Sequence, residues 1–292
     1  MYGTPSAGGG DDARRPRKKV TAPAICARKG QTPIAMVTAY DFTIARLLDA
    51  AGVDVLLVGD SLGMVVQGQS TTLPVTLDEV AYHTRAVVRG AERALVVADM
   101  PFMSFQVSPA QALENAGTLV KTGGAEAVKL EGGRDVAEHV RRITRAGIPV
   151  VGHVGLTPQS VHALGGFKVQ GKADAAAAAL LEDAQALADA GAFAIVLEAI
   201  PPDLAAAVTD SIAVPTIGIG AGPDCDGQVL VCYDMLGMTG GRVPKFTKQF
   251  AAVGDAIETA TRAFVDEVQT RVFPAPAHTY RPRIKKLDDA AQ

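Results

Sequence analysis

The sequence has no tryptophan, only three cysteines and no long apolar run. None of its hydrophobic stretches reaches the ~18 residues that a membrane-spanning helix needs, and the amino end lacks the apolar core of a signal peptide. Cys26, Cys225 and Cys232 are odd in number and show neither CxxC nor metal-ligand spacing. Such cysteines are typical of reduced thiols. We therefore predict a protein of the cytoplasm without a membrane segment.

A strong net charge is also missing. The chain has 28 basic and 31 acidic residues, a formal net charge of −3 and a pI of about 6.0. A nearly neutral protein has no global field that draws it to nucleic acid or to a membrane surface. The charge balance therefore favours a small-molecule substrate, with neither nucleic acid nor membrane as a partner.

The middle of the chain lacks a linker rich in Ser, Gly or Pro, which favours one domain over two. We predict a flexible N-terminal arm over residues 1–20, a catalytic domain over 21–273 and a C-terminal tail over 274–292. The arm contains a basic cluster of Arg14, Arg15, Arg17, Lys18 and Lys19. Because no aromatic side chains for base stacking lie among these residues, a solvated arm is favoured over a nucleic-acid site.

From Thr32 onward, predicted strands alternate with predicted helices. The strands are expected at 34–38, 53–58, 94–98, 125–130, 150–151, 193–197, 216–219 and 229–232. Eight such units over roughly 250 residues are typical of a single-domain α/β protein with the (β/α)8 TIM barrel fold. A doubly wound open sheet is the alternative, but the chain has no GxGxxG after its first strand.

Helix boundaries are marked by capping signals and by apolar periodicity. Thr76 with Glu79, and Ser108 with Gln111, have the spacing of a capping box. A closing helix is expected over residues 247–271. Its inward-facing side chains are predicted to be Phe250, Val253, Ile257, Phe264, Val265 and Val268.

The second predicted strand is followed by a carboxylate and a hydroxyl. Because residues 53–58 are apolar with little alternation, we predict a parallel strand that is covered on both faces. Asp60 and Ser61 then lie at its carboxyl end, where α/β folds place their active sites. The alternative is that either residue only caps a following helix.

Later strands also end in polar residues. Asp99 follows the third strand, the fourth carries Lys129 and Glu131 at its end, His153 follows the fifth and Glu198 the sixth. In a barrel all these side chains share one mouth. Several carboxylates at close range imply a cation, and oxygen ligands without thiolates favour Mg²⁺ over Zn²⁺.

Three features of this mouth leave alternatives open. His153 beside carboxylates could bind a transition metal, but a single histidine is more often a hydrogen-bonding group. Lys129 could form a Schiff base, although beside acids and a metal it is more simply a positive charge for an anionic substrate. The turn at 218–222 falls where many barrels bind phosphate, but glycines alone support that weakly.

Six ordered segments of the chain carry a family resemblance. They are VGDSLGMVVQG, VVADMPFMS, AVKLEGG, GHVGLTPQS, GGFKVQGK and IVLEAIP, within about Val20 to Phe273. In these segments the chain resembles the ketopantoate hydroxymethyltransferase (3-methyl-2-oxobutanoate hydroxymethyltransferase) family.

The resemblance implies an activity and an assembly. The expected reaction transfers a hydroxymethyl unit from 5,10-methylenetetrahydrofolate, the co-substrate, to 2-oxoisovalerate (3-methyl-2-oxobutanoate) through a Mg²⁺-bound enolate. Its product, 2-dehydropantoate (ketopantoate), leads to pantothenate and coenzyme A. The resemblance also implies a homo-oligomer, which is a decamer in the family.

The resemblance further implies roles for matching residues. Asp60 and Asp99 match the Mg²⁺ carboxylates, Glu131 matches the third acid near the ion, and Glu198 matches the general base. The residues expected around the oxo acid are Asp60, Ser61, Asp99, Lys129 and His153. For Glu198 the alternative is a structural acid that pairs with a helix amide or an arginine.

Three rival functions remain to be distinguished. A Mg²⁺-dependent C–C lyase or aldolase of the same barrel group, acting on a 2-oxo acid, would cleave its substrate without folate. A barrel used only for binding or scaffolding would not exchange the C3 hydrogen of the oxo acid. A Schiff-base aldolase would form an adduct at Lys129 with borohydride.

Overall fold

A computed structural model of the chain describes residues 18–240 and 243–280. Most of the predicted arm, over 1–20, and most of the predicted tail, over 274–292, lie outside these residues. The boundaries of the predicted catalytic domain therefore stay predictions.

The chain divides into two compact units. The first comprises Met1–Cys232 and Pro244–Thr247, and the second comprises Tyr233–Val243 and Lys248–Gln292. All eight strands lie in the first unit.

Eight parallel strands form the centre of the first unit. They are β1 Ile34–Thr38, β2 Val55–Val58, β3 Leu95–Asp99, β4 Ala127–Glu131, β5 Val150–Gly155, β6 Ala194–Glu198, β7 Thr216–Ile219 and β8 Gly227–Leu230. Each strand pairs with the next, and β8 pairs with β1, so that the sheet closes without an edge. The predicted (β/α)8 barrel is confirmed, and the open doubly wound sheet is excluded.

Several of the helices begin at a side-chain cap. The helices are α1 Ala22–Cys26, α2 Phe42–Ala50, α3 Leu62–Val65, α4 Leu77–Gly90, α5 Pro109–Thr118, α6 Ala137–Arg145, α7 Asp174–Asp189, α8 Pro202–Ser211, α9 Cys232–Met235 and α10 Val253–Gln269. The capping box of Thr76 and Glu79 forms in full before α4. Before α5, the Ser108 side chain accepts from the backbone N–H of Gln111, as predicted. The Gln111 side-chain oxygen accepts from the backbone N–H of Val107 instead of that of Ser108.

Apolar side chains fill the interior of the barrel. Val55, Leu57, Leu95 and Val97 point into one cluster, and Ile25 of α1 belongs to the same cluster. Burying a side chain of this size contributes about 1.5–3 kcal/mol. The polar residues that follow these strands are therefore carried by rigid, buried elements.

The fifth strand is longer than predicted. It continues through His153 to Gly155, whereas the predicted strand covered only residues 150–151. Gly152 occurs here because a β-carbon would come within 2.8 Å of Leu187 in α7, so the glycine permits close packing of helix on strand.

The predicted closing helix lies in the second unit and differs from the prediction. Helix α10 is shorter than expected, and none of its residues is buried. Phe250, Ile257, Phe264, Val265 and Val268 are exposed in this chain, so the prediction that they face inward was wrong. The apolar stripe itself is present. In the described part of the chain, no helix has the length and apolar character needed to cross a bilayer.

Candidate active site

Polar residues from neighbouring strands meet at the carboxyl end of the barrel. Asp60 follows β2, Asp99 ends β3, and β4 carries both Lys129 and Glu131. All four residues are buried, with relative exposures between 2% and 6%. Charged groups at this depth require partners, because burial without them is strongly unfavourable.

Asp99 and Lys129 form the shortest ion pair of this mouth. The Lys129 Nζ atom donates to Asp99 Oδ1 at 2.6 Å. Burial lowers the pKa of Lys129, but the charges of Asp99, Glu131 and Asp60 outweigh burial and raise it. Lys129 is therefore a fixed cation.

Asp60 has an amide as its partner. Its Oδ2 atom accepts from Gln159 Nε2 at 2.9 Å, and its backbone N–H donates to Asp99 Oδ2 at 3.3 Å. Burial, followed by the charges of Asp99 and Glu131, raises the pKa of Asp60 well above its usual value. These surroundings favour a proton or a metal cation on this carboxylate.

Ser61 does not cap the helix that follows it. It precedes α3 without a side-chain capping bond, and its Oγ atom lies 2.9 Å from the hydroxyl of Tyr40. His83 Nδ1 lies 2.7 Å from the backbone oxygen of Tyr40. The capping alternative is therefore wrong for Ser61. Its hydroxyl instead contacts Tyr40, which follows β1.

His153 lies between two glutamates. Its Nδ1 atom is 3.5 Å from Glu131 Oε1, and its Nε2 atom is 3.3 Å from Glu198 Oε2. Burial and the charge of Lys129 lower the pKa of His153, but the two glutamates outweigh them and raise it to about 9. Both ring nitrogens thus face carboxylates. Neither nitrogen has a hydrogen bond of good geometry among the described residues, so the two contacts with the glutamates are electrostatic.

Glu198 faces the mouth from the end of β6. In the described part of the chain, its carboxylate lies next to His153, with neither an arginine nor a helix amide as its partner. The backbone after it is fixed, because Ala199 has a φ of +47° and donates its N–H to Ile219 O at 2.9 Å. A residue other than glycine keeps a positive φ only where several surrounding contacts hold its backbone in place.

Gln159 and Tyr40 are site residues that sequence reasoning missed. Gln159 is 5% exposed, and its backbone N–H donates to Glu131 Oε2 at 3.0 Å. It therefore touches both Asp60 and Glu131. The only sequence signal for Gln159 was its position in the segment GHVGLTPQS. The sequence does not show which groups an uncharged side-chain amide in a turn will bond.

The carboxylates of the mouth are the candidate ligands of the expected metal. Across residues 18–240 and 243–280, no three His, Cys, Asp or Glu side chains are arranged as ligands of a single ion. Mg²⁺ usually keeps several waters and takes only one or two protein carboxylates. Asp60 and Asp99 are neighbouring carboxylates that supply oxygen ligands, and they fit that pattern. Glu131 is instead engaged with Gln159 and His153.

Known proteins of similar sequence cover most of the chain. The family model described as ketopantoate hydroxymethyltransferase matches residues 19–276. A 3-methyl-2-oxobutanoate hydroxymethyltransferase from Syntrophus aciditrophicus is 55% identical over 265 residues, which cover 90% of this chain and 97% of that protein. Its counterpart from Carboxydothermus hydrogenoformans is 59% identical over 247 residues, or 85% and 90% of the two chains.

Solved structures with the same fold are more distant. A 2,3-dimethylmalate lyase, a member of the PEP mutase/isocitrate lyase superfamily, has a TM-score of 0.55 at 18% identity and covers 89% of this chain and 92% of its own. Phosphonopyruvate hydrolase in complex with oxalate and Mg²⁺ has a TM-score of 0.56 at 15% identity, with coverages of 90% and 92%. These two similarities show the fold alone. The family match and the close relatives show that the chain belongs to the ketopantoate hydroxymethyltransferase family and is an enzyme.

Proposed function

We propose that this enzyme transfers a hydroxymethyl unit from 5,10-methylenetetrahydrofolate to 2-oxoisovalerate and so forms ketopantoate for pantothenate synthesis. One observation carries the proposal. The barrel mouth holds a buried set of carboxylates with one fixed lysine, in a chain more than half identical to hydroxymethyltransferases. Such a set suits a small anionic substrate together with a divalent cation.

Asp60 and Asp99 are the residues that we propose to hold Mg²⁺. Both are oxygen donors, and the raised pKa of Asp60 marks a carboxylate that a cation would stabilise. When bound, Mg²⁺ would polarise the oxo group of the acid and make the hydrogen at C3 easier to remove. Phosphonopyruvate hydrolase, which shares the fold, binds Mg²⁺ with the dicarboxylate oxalate, and this supports the metal assignment.

The remaining residues bind the oxo acid and move its proton. Lys129 presents three N–H donors, one of which Asp99 occupies, so that others remain for a substrate carboxylate. Ser61 offers a hydroxyl beside Asp60. Glu198 is the general base that takes the C3 proton, and His153 at 3.3 Å holds its carboxylate in place.

The lyase alternative uses the same barrel and the same acids. Its support is the shared fold with 2,3-dimethylmalate lyase, but the 18% identity to that enzyme is far below the 55% identity to a hydroxymethyltransferase. The Schiff-base alternative needs an uncharged Lys129, and the ion pair with Asp99 opposes it.

We also propose that the enzyme is a homo-oligomer of the cytoplasm. The apolar residues Ile257, Phe264, Val265 and Val268 of α10 are each between 42% and 53% exposed in the single chain, and a surface of this kind favours association. Light scattering combined with size exclusion would measure the assembly, and a purely monomeric species would contradict it. The absence of a disulfide at Cys26 and Cys225, among the described residues, agrees with a reducing compartment.

Hydrogen exchange at C3 of 2-oxoisovalerate tests the reaction most directly. In D₂O, the enzyme should incorporate deuterium when Mg²⁺ is present and lose this activity with EDTA. Product should form only when 5,10-methylenetetrahydrofolate is also added. Cleavage of a 2-hydroxy acid without folate would support the lyase, and exchange at full rate in EDTA would contradict the proposed metal.

A further inference from the structure

One residue, Gln159, connects two of the acids at the barrel mouth and has no place in the chemistry described so far. Gln159 lies in the short 3₁₀ turn Pro158–Ser160 that follows β5. Its backbone N–H, which such a turn leaves free, donates to Glu131 Oε2 at 3.0 Å. Its side-chain amide donates to Asp60 Oδ2 and to Met100 O, both at 2.9 Å. One residue therefore fixes carboxylates from β2 and β4.

A second glutamine determines which way the Gln159 amide points. Gln106 Nε2 donates to Gln159 Oε1 at 3.1 Å. Gln106 Oε1 in turn accepts from the backbone N–H of Phe105 at 3.3 Å. A backbone N–H can only donate, while the Met100 carbonyl oxygen can only accept. Both ends of the chain of hydrogen bonds thus have a fixed polarity, and the NH₂ group of Gln159 must face Asp60.

We propose that Gln159, oriented by Gln106, is a positioning residue that presents Asp60 to the divalent cation. The inference rests on the proposed function, since it assumes that the cation binds at Asp60. The Gln159 side chain uses both of its N–H donors and accepts one bond at its oxygen. A flipped amide would place its oxygen against the Asp60 carboxylate and turn that side chain away. Partners of this kind typically change metal affinity when they are replaced.

Gln111, in the first turn of α5, offers a matched control. Its side chain contacts the backbone of the loop between β3 and α5, which contains Gln106, and donates to Met103 O at 3.0 Å. It makes no bond to Gln159 among those of the described residues. Gln111→Met therefore disturbs the loop without touching the proposed relay, whereas Gln106→Met removes the bond that orients Gln159.

The test is Mn²⁺ binding to the metal-free full chain, followed by the EPR signal of free Mn²⁺. We expect Gln106→Met to weaken binding about three- to tenfold, as for one lost hydrogen bond. Gln159→Met should weaken it about 10- to 100-fold. Gln111→Met should stay within about twofold of the parent protein. Gln106→Glu should be worse than Gln106→Met, because an ionised carboxylate accepts only and favours the flipped amide.

Two readouts separate positioning from folding. The melting temperatures of Gln106→Met and Gln111→Met without metal should agree, and kcat of Gln106→Met at saturating Mg²⁺ should recover most of the parent value. Equal Mn²⁺ affinity for Gln106→Met, Gln106→Glu and the parent would overturn the inference even if Gln159→Met does not fold. If the parent protein itself does not bind Mn²⁺, the proposed metal site is overturned instead. Loss of binding in Asp60→Asn alone does not overturn it.

Discussion

The Nε2 atom of His153 lies 3.3 Å from the Oε2 atom of Glu198. His153 is buried, while the Glu198 side chain keeps 16% of its surface exposed and is the more accessible of the two. The histidine therefore lies behind the carboxylate. This order suits Glu198 as the group that meets the substrate and His153 as the group that orients it.

Replacing the proposed base tests that order. Glu198→Gln keeps the shape of the side chain but removes the basic oxygen, and we expect deuterium exchange at C3 to fall about 10²- to 10⁴-fold. Affinity for Mg²⁺ and for the oxo acid should be nearly unchanged. His153→Gln should reduce exchange less, since it only releases Glu198. Exchange by Glu198→Gln at close to the parental rate would make His153 the next base to test.

The three acids should differ in their effects on metal binding. Asp60→Asn is the clearer test of Mg²⁺ binding, because it removes one proposed ligand and leaves the other contacts in place. Asp99→Asn also breaks the ion pair with Lys129. Glu131→Gln should have the smallest effect, because Gln159 and His153 already engage that carboxylate and any role in metal binding would run partly through water. Calorimetric titration with Mg²⁺ measures all three. Equal losses would show that Glu131 is a direct ligand.

The strand ends could be predicted from the sequence because they depend on local signals. Branched apolar runs predicted β1 and β7 to the residue, and the polar residues after such runs predicted Asp60 and Asp99 at the mouth. Parallel strands of a barrel share one carboxyl end, so the grouping of these acids followed from the fold class.

Contacts between distant residues could not be predicted in the same way. Gln159 and Asp60 are separated by 99 positions, and neither residue type indicates the other. The stripe of α10 illustrates a second limit. Apolar periodicity predicts that a helix face is to be covered, but it does not say by which part of the protein, and Phe264 and Val268 are exposed in the single chain.

Lys129 should act as a charge and not as a nucleophile. Lys129→Met keeps most of the apolar stem and removes the ammonium, so the substrate carboxylate would lose a charge-assisted partner worth roughly 1.5–3 kcal/mol. We expect KM for the oxo acid to rise about 10- to 100-fold. The exposed Lys121→Met is the control. A borohydride adduct on Lys129 of the parent enzyme would revive the aldolase alternative.

Asp226 should make the fold sensitive to acid. Its carboxylate accepts from Lys29 Nζ, Gly30 N and Thr216 N, at 2.9, 2.8 and 2.9 Å. Burial alone would raise the pKa of Asp226, but these bonds outweigh it and lower the pKa. The stabilisation is therefore complete above the unfolded pKa of about 3.9 and is lost as pH falls through the lower folded pKa.

Urea denaturation at several pH values measures this dependence. The parent protein should lose stability more steeply than Asp226→Asn as the pH falls from 5 towards 3, and the variant should be the less stable of the two at pH 7. The exposed Asp224→Asn serves as a control for the change of charge. Parallel pH profiles for the parent and Asp226→Asn would contradict the assignment.

Gly155 ends β5 beside the proposed base. Its φ is +96°, and a β-carbon there would come within 2.3 Å of the backbone oxygen of Glu198. Gly155→Ala thus combines an unfavourable backbone, about 1–2 kcal/mol, with an overlap that costs a further ~1–3 kcal/mol. Because the overlap falls on Glu198 itself, we expect kcat to drop together with stability.

Gly147→Ala separates these two effects. Gly147 has a φ of +88°, but a β-carbon there would meet nothing within 4 Å. It should show only the backbone penalty, about 1–2 kcal/mol in urea denaturation, with kcat unchanged below the transition. If both variants lose the same stability and keep the parental kcat, the close approach of Gly155 to Glu198 does not position the base, and the rigidity of Glu198 must come from Ala199 and its bond to Ile219.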